Sequence, residues 1–194
     1  MNNFTDVVGN SDLQCGANVM FVNDRFCNPD SAIYLNNGYL QVPPGVYFSS
    51  DFTIIAWINL KSFVNWSRII DFANGGSVDT VRFYYHNNDI LKVAIFYGSS
   101  PSYLQTKPLP LELGKWYHFA IVLNKTICFL YLNGNFTISK ALNVPRNVTR
   151  NSNYIGKSNS GEPNVDAIYD DIKIYKTALT GDFILSDYTS SNNG

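Results

Sequence analysis

Two adjacent carboxylates, Asp170 and Asp171, interrupt the apolar run Ala167-Ile168-Tyr169-Asp170-Asp171-Ile172-Lys173-Ile174-Tyr175. If Ile168, Ile172 and Ile174 face inward on an unbroken strand, Asp170 faces inward with them. A buried carboxylate is costly unless it is paired, hydrogen-bonded or metal-bound. Two arrangements answer that cost. One is ligation of Ca2+, a hard cation that takes about six to eight oxygens; the other is acceptance of backbone N–H groups at a bulge. Side chains alternate along a regular strand, so Asp170 and Asp171 are expected on opposite faces. That separation argues against a catalytic pair, since retaining glycoside hydrolysis needs two carboxyl groups about 5–5.5 Å apart. The chain has just two glutamates, Glu112 and Glu162, distant in sequence and set in loop-like stretches. Gly-x-Ser-x-Gly, P-loop and zinc-protease motifs are absent. The sequence therefore predicts no catalytic residue.

The remaining chemistry-bearing residues point to structure or to recognition. His118, in Trp116-Tyr117-His118, reads as a strand histidine, and His86 as a turn residue beside Asn87-Asn88-Asp89. Cys15 and Cys27 could close a short loop in an oxidising compartment, stabilising by roughly 3 kcal/mol. Cys128 lies in Ile127-Cys128-Phe129-Leu130 and reads as a buried, inert thiol. Exposed Trp and Tyr suit sugar rings, which stack on aromatic faces. Trp66, with Tyr84, Tyr97 and Tyr103, is the candidate platform, and loops 61–67, 74–80 and 97–107 are its expected surroundings. Asn-x-Ser/Thr sequons occur at Asn3, Asn65, Asn124, Asn135 and Asn147. They lean towards secretion, although a chain this rich in Asn, Ser and Thr would carry about three by chance.

The elements that must position these residues are strands. Helical periodicity is nearly absent, while alternating and short apolar runs dominate. Phe52–Leu60 is apolar on both faces, as expected of a strand held between layers. Arg68–Phe72, Val81–Tyr85 and Leu91–Phe96 follow between polar turns. Trp116–Leu123 and Ile127–Leu132 are joined by a short turn, and Asn133-Gly134 leads into Phe136-Thr137-Ile138. Asn-Gly predicts a type I′ hairpin, whose two central residues need positive φ. Gaps this short require antiparallel pairing. One short helix is expected after Leu179, with Thr180 as its N-cap. No internal repeat or mid-chain linker appears, so residues 1–188 read as one domain and residues 189–194 as a polar tail or linker. Many short antiparallel strands in one domain predict an all-β sandwich.

Composition bounds the function. Of 194 residues, 45% are apolar and 15% charged, which argues for a packed globule and against disorder. The net charge is −1 and no two Lys/Arg residues are adjacent, so there is no electrostatic footprint for nucleic acid. No apolar stretch approaches the roughly 20 residues that span a bilayer. The N-terminus lacks the regions of a signal peptide, which leaves a cytosolic protein or a mature piece of a larger secreted precursor.

Several stretches, in shared order and spacing from about residue 30 to 188, resemble the laminin-G-like, concanavalin A-like jelly-roll superfamily. They are Phe52–Ile58, Gly114–Ala120, Leu130-Tyr131-Leu132-Asn133-Gly134-Asn135, Asn153–Ser158, and Tyr169–Tyr175 running to Ala178-Leu179-Thr180. The resemblance implies two curved antiparallel sheets packed face to face. It also implies a recognition module of a secreted or cell-surface multidomain protein, binding glycans or proteins and often calcium. Family calcium sites draw on an early polar turn, here resembling Leu35-Asn36-Asn37-Gly38, which adds Asn37 to Asp170 and Asp171 as candidate ligands. This turn looks shortened and carries Asn where Asp is common. The family's hydrolases present Glu-x-Asp-x-x-Glu on one strand, and this chain does not. The expectation is a non-catalytic extracellular binding module. A passive spacer domain is the second reading and a glycoside hydrolase a remote third.

Overall fold

Strands form where β-branched and aromatic residues alternate with polar ones, because such side chains fit a pleated, half-buried surface. The computed structural model describes residues 5–6, 8–9, 11–87 and 90–191. Its elements are β1 (Gln14–Val22), β2 (Ala32–Val42), β3 (Phe52–Leu60), β4 (Arg68–Ala73), β5 (Val81–His86), β6 (Ile90–Tyr97) and β7 (Ser100–Gln105). They continue with β8 (Trp116–Asn124), β9 (Ile127–Leu132), β10 (Asn135–Ala141), β11 (Ser152–Ile155), β12 (Val165–Tyr175) and α1 (Gly181–Ser190).

All strand pairs are antiparallel. One layer runs β10-β9-β8-β3-β12 and the other β11-β4-β5-β6-β7, with β2 joining them. β11 and β12 lie end to end along β2: Ile155 pairs with Leu40, and Val165 pairs with Gly38. The layers pack face to face over one core, in which Phe83 of β5 meets Phe119 of β8 with ring centroids 5.6 Å apart. This is the all-β, antiparallel sandwich with one short helix that the patterning predicts, and the jelly roll that the resemblance implies. Its layers are halves of one continuous sheet rather than separate sheets.

β3 is buried along its whole length because both of its faces are covered. Phe52, Ile54, Ile58 and Leu60 enter the central core. Ile55, on the opposite face, joins Ala120, Val122 and Ile184 beneath α1. Thr180 caps α1, its hydroxyl accepting from the Phe183 amide at 3.2 Å. Asn133 and Gly134 have φ of 50° and 75°, the conformation a type I′ hairpin demands.

The structure corrects four expectations. Asn37 does not sit in a free turn: it lies inside β2, at a kink where its φ is 49°. Segment 97–107 contains β7 instead of a long loop. The domain extends past residue 188, since α1 runs to Ser190 and the Ser191 hydroxyl accepts from the Trp57 indole at 3.0 Å. Finally, Cys15 and Cys27 are exposed free thiols. Cys15 opens β1 opposite Leu40, whereas Cys27 lies beyond the far end of that strand, near where Val22 meets Ala32. Seven residues of strand separate those ends by roughly 20 Å, far more than the ~7 Å between Cα atoms that a disulfide tolerates.

Candidate functional site

The face of β4–β7 turned away from the core is where polar and aromatic residues converge. Ile70, Phe83, Val93 and Leu104 form one row across the four strands and point into the core. The neighbouring row, Asp71, Arg82, Ala94 and Tyr103, must by alternation point outward. A further row holds Arg68, Tyr84, Lys92 and Gln105. Arg68 reaches the same face as Asp71 because a register shift leaves Ile69 without a partner on β5. Bulges re-aim side chains in this way.

Trp66, in the turn before β4, folds over this face with φ of 67°. Its ring stacks on Tyr84 at 6.0 Å and meets the edge of His86 at 4.1 Å. The Lys92 ammonium lies 5.5 Å above the indole. Arg68 packs its guanidinium over the Tyr84 ring at 4.5 Å and donates to the Trp66 carbonyl at 2.7 Å. On the next row, Arg82 lies over Phe96 at 5.1 Å, and Phe96 meets Tyr103 edge-on. Trp66 is 39% exposed and Tyr103 44%, whereas Tyr84 is buried between them.

Loop 156–164 covers one flank. The Asn159 amide donates to the Asp71 carboxylate at 3.1 Å. The Glu162 carboxylate accepts from Arg68 at 2.6 Å and from the Ser158 hydroxyl. Burial pushes the Asp71 carboxyl above its ordinary value, although Arg82 and the Asn159 amide oppose it. Glu162 moves the other way: burial opposes its charge, but Ser158 and Arg68 together hold it below its ordinary value. The Nε groups of Arg68 and Arg82 stand 3.6 and 3.7 Å from Asp71, at ion-pair range, and make no hydrogen bond.

Of the four aromatic candidates, Trp66, Tyr84 and Tyr103 share this face. Tyr97 does not: it ends β6 beneath Arg146, whose guanidinium lies 5.7 Å above its ring. Sequence reasoning missed Arg68, Asp71 and Arg82, which are charged residues at outward positions of otherwise apolar strands. That pattern was available as a signal.

The candidate calcium residues do not fit one ion. Arg25 grips both aspartates, with Nη1 on Asp170 and Nη2 on Asp171 at 2.7 Å. A bulge makes this possible: Asp170 pairs with Trp57 and Lys173 with Ile55, and Asp171 takes φ of 47°. The core sequence is therefore Val165, Ala167 and Tyr169, then Ile172 and Ile174, and the expected parity is broken. Asp170 and Asp171 do not face opposite ways, and Asp170 accepts from the Asp171 amide at 2.9 Å. Asn37 is out of reach, since its neighbours Asn36 and Gly38 pair with Asp166 and Val165. Asp170 lies four residue steps along the strand from Asp166, roughly 13 Å. Among the described residues, no group of three or more His, Cys, Asp or Glu gathers to hold a metal.

His118 is fully buried beneath α1, with Nε2 3.1 Å from Asp187, which also accepts from Lys173 at 2.7 Å. Glu112 pairs with Lys115, so the two glutamates belong to different ion pairs. The Cys128 thiol is buried and pushed up to about 12 by desolvation. Asn65, Asn124, Asn135 and Asn147 are exposed; Asn3 lies outside the described residues.

Comparison with known proteins places this geometry in a family. A laminin-G-type family model, described as the concanavalin A-like lectin/glucanases superfamily, matches residues 35–185. A search of curated proteins finds no match. Among solved structures, the botulinum neurotoxin serotype G binding domain superposes with a TM-score of 0.76 at 17% identity, covering 96% of this chain and 48% of its own. The binding domain of Paraclostridial Mosquitocidal Protein 1 gives 0.73 at 22% identity, covering 95% and 48%. Domain 4 of an extracellular arabinanase from Geobacillus stearothermophilus, solved in complex with arabinotriose, gives 0.75 at 19% identity, covering 95% and 92%. The chain thus spans about half the length of the toxin binding domains. At these identities the structural likeness speaks for the fold alone, whereas the family match covers most of the sequence: this chain belongs to the laminin-G-type family of the concanavalin A-like lectin/glucanases superfamily.

Proposed function

We propose that this domain is a non-catalytic recognition module that binds a glycan on the outer face of β4–β7. The observation that carries this reading is the pairing of accessible aromatic faces with fixed polar groups. Trp66 and Tyr103 stay open to solvent, while Lys92 lies over the indole and the buried guanidinium groups of Arg68 and Arg82 underlie the strip between them. Stacking surfaces with convergent polar groups are what a sugar site requires. The glutamates stand in separate ion pairs and Asp71 has no exposed surface, so the strip offers ligands more readily than an acid–base pair.

The comparisons lend support by analogy. One structural neighbour was solved with arabinotriose, and others are binding domains of toxins. Those settings favour an extracellular or cell-surface protein in which this unit is one part of a longer chain. Among the described residues no helix is long and apolar enough to cross a membrane. The exposed sequons at Asn65, Asn124, Asn135 and Asn147 suit glycosylation in that setting. A glycan array followed by calorimetry tests the proposal. Trp66→Ala and Tyr103→Ala should each weaken binding about three- to ten-fold, the worth of one aromatic contact, with little change in melting. An array without a single hit would contradict the reading.

A further inference from the structure

We propose that Glu162 is a built-in stand-in for a ligand's carboxylate, and that the glycans preferred by this face carry acidic sugars. The inference rests on the proposed function and names the ligand class of that same site.

The geometry of loop 156–164 motivates it. β11 and β12 are nearly one strand along β2, and the loop leaves and rejoins that line at a neck closed by the Val165 amide on the Gly156 carbonyl at 2.8 Å. Gly156 has φ of +85°, and a Cβ there would lie 2.8 Å from the Gly38 carbonyl, so glycine is required at the hinge. Between the two strands the sequence is Gly156-Lys157-Ser158-Asn159-Ser160-Gly161-Glu162-Pro163-Asn164, without a large apolar residue. Polar contacts hold it down: Asn159 on Asp71 and Ser152, Ser160 beside Ser77, and Glu162 on Arg68. Beyond the Gly156 hinge, the segment is held by polar contacts and sends no large apolar side chain into the core.

What it covers is a cation prepared for an anion. The Arg68 side chain is 2% exposed and its partner Glu162 is 29% exposed, so the carboxylate is the solvent-facing member of the pair. The guanidinium is fixed from behind by the Tyr84 ring and by the Trp66 carbonyl. Arg and carboxylate match in a planar, charge-assisted geometry. A sugar ring stacked on Trp66 would direct an acidic substituent either at Arg68 or at Lys92, which lies over the same indole. With Glu162 lifted, three cations, Arg68, Arg82 and Lys92, share the strip with one carboxylate, Asp71. The uncovered strip is then net positive.

An internal competitor lowers apparent affinity by the fraction of time it occupies the site, so its removal tightens binding. The experiment uses an oligogalacturonate and its fully methyl-esterified form, titrated into the wild-type chain and into Glu162→Ala, Glu162→Gln and Ser158→Ala. The free acid should bind the wild type and the ester should bind far more weakly. Glu162→Ala should tighten the free acid roughly three- to ten-fold, Glu162→Gln and Ser158→Ala less, with the ester unchanged. Equal binding of acid and ester, or weaker acid binding by a Glu162→Ala variant that still unfolds cooperatively, would overturn the inference. If neutral glycans on the array bind while the acid does not, this inference fails and the glycan-binding reading stands. If nothing binds, both fail.

Discussion

Arg25 holds Asp170 and Asp171 on one guanidinium while its plane lies 4.8 Å from the Trp57 ring centroid. Removing one partner of a buried pair leaves a desolvated charge, so Arg25→Ala should cost about 3 kcal/mol or more. For a chain of this size that lowers the melting midpoint by roughly 6–12 °C, and calorimetry of the variant measures it. Glu162 gives a pH signature. Its folded-state value lies below the ordinary 4.5. Its contribution is therefore complete above the unfolded value and is lost as pH falls through the folded one. Glu162→Gln should melt below wild type at neutral pH, and the two curves should converge as pH falls below the ordinary carboxylate range. A constant offset across that range would show that the Arg68–Glu162 pair carries no stability. None of these pairings was legible in the sequence. Arg68 and Glu162 stand 94 residues apart and Arg25 and Asp170 stand 145 apart, so only the folded chain brings them together.

At the scale of elements, what was local was legible. Asn133-Gly134 specifies its own turn through backbone sterics, and Thr180 specifies a helix start through its hydroxyl. The bulge at Ile69 was not legible, because it is set by pairing with a neighbouring strand rather than by local preference. The bulge at Asp170-Asp171 was one of the two arrangements that the cost of burying Asp170 predicted, and there Asp170 accepts from the Asp171 amide. Both bulges decide chemistry: one brings Arg68 beside Asp71, the other brings Asp170 and Asp171 to one cation. β1 escaped notice because its residues alternate weakly and it gains order by pairing with β2. α1 is an integral cover, since Ile184 is fully buried against Ile55, Ala120 and Val122. Ile184→Ala should therefore destabilise by about 2–4 kcal/mol, read as a lower denaturant midpoint with an unchanged slope. A change below about 0.5 kcal/mol, typical of surface positions, would mean that α1 is only loosely docked.

For the molecule as a whole, alternation and short gaps predicted an antiparallel sandwich and the resemblance implied a jelly roll, and the family match over residues 35–185 agrees with both. The two layers are covered differently. α1 closes the outer face of β3, β8 and β9 with apolar contacts, whereas the outer face of β4–β7 carries charge and open aromatic rings under a polar loop. That asymmetry is the physical basis for assigning recognition to the second face. The most direct measurement is amide chemical-shift mapping by NMR during titration with a glycan that binds on the array. Shifts confined to Trp66–Asp71, Arg82–His86, Lys92 and Tyr103, with loop 156–164 moving alongside, are the predicted result. Shifts clustered on α1 and β8–β10, with the β4–β7 face silent, would contradict the account.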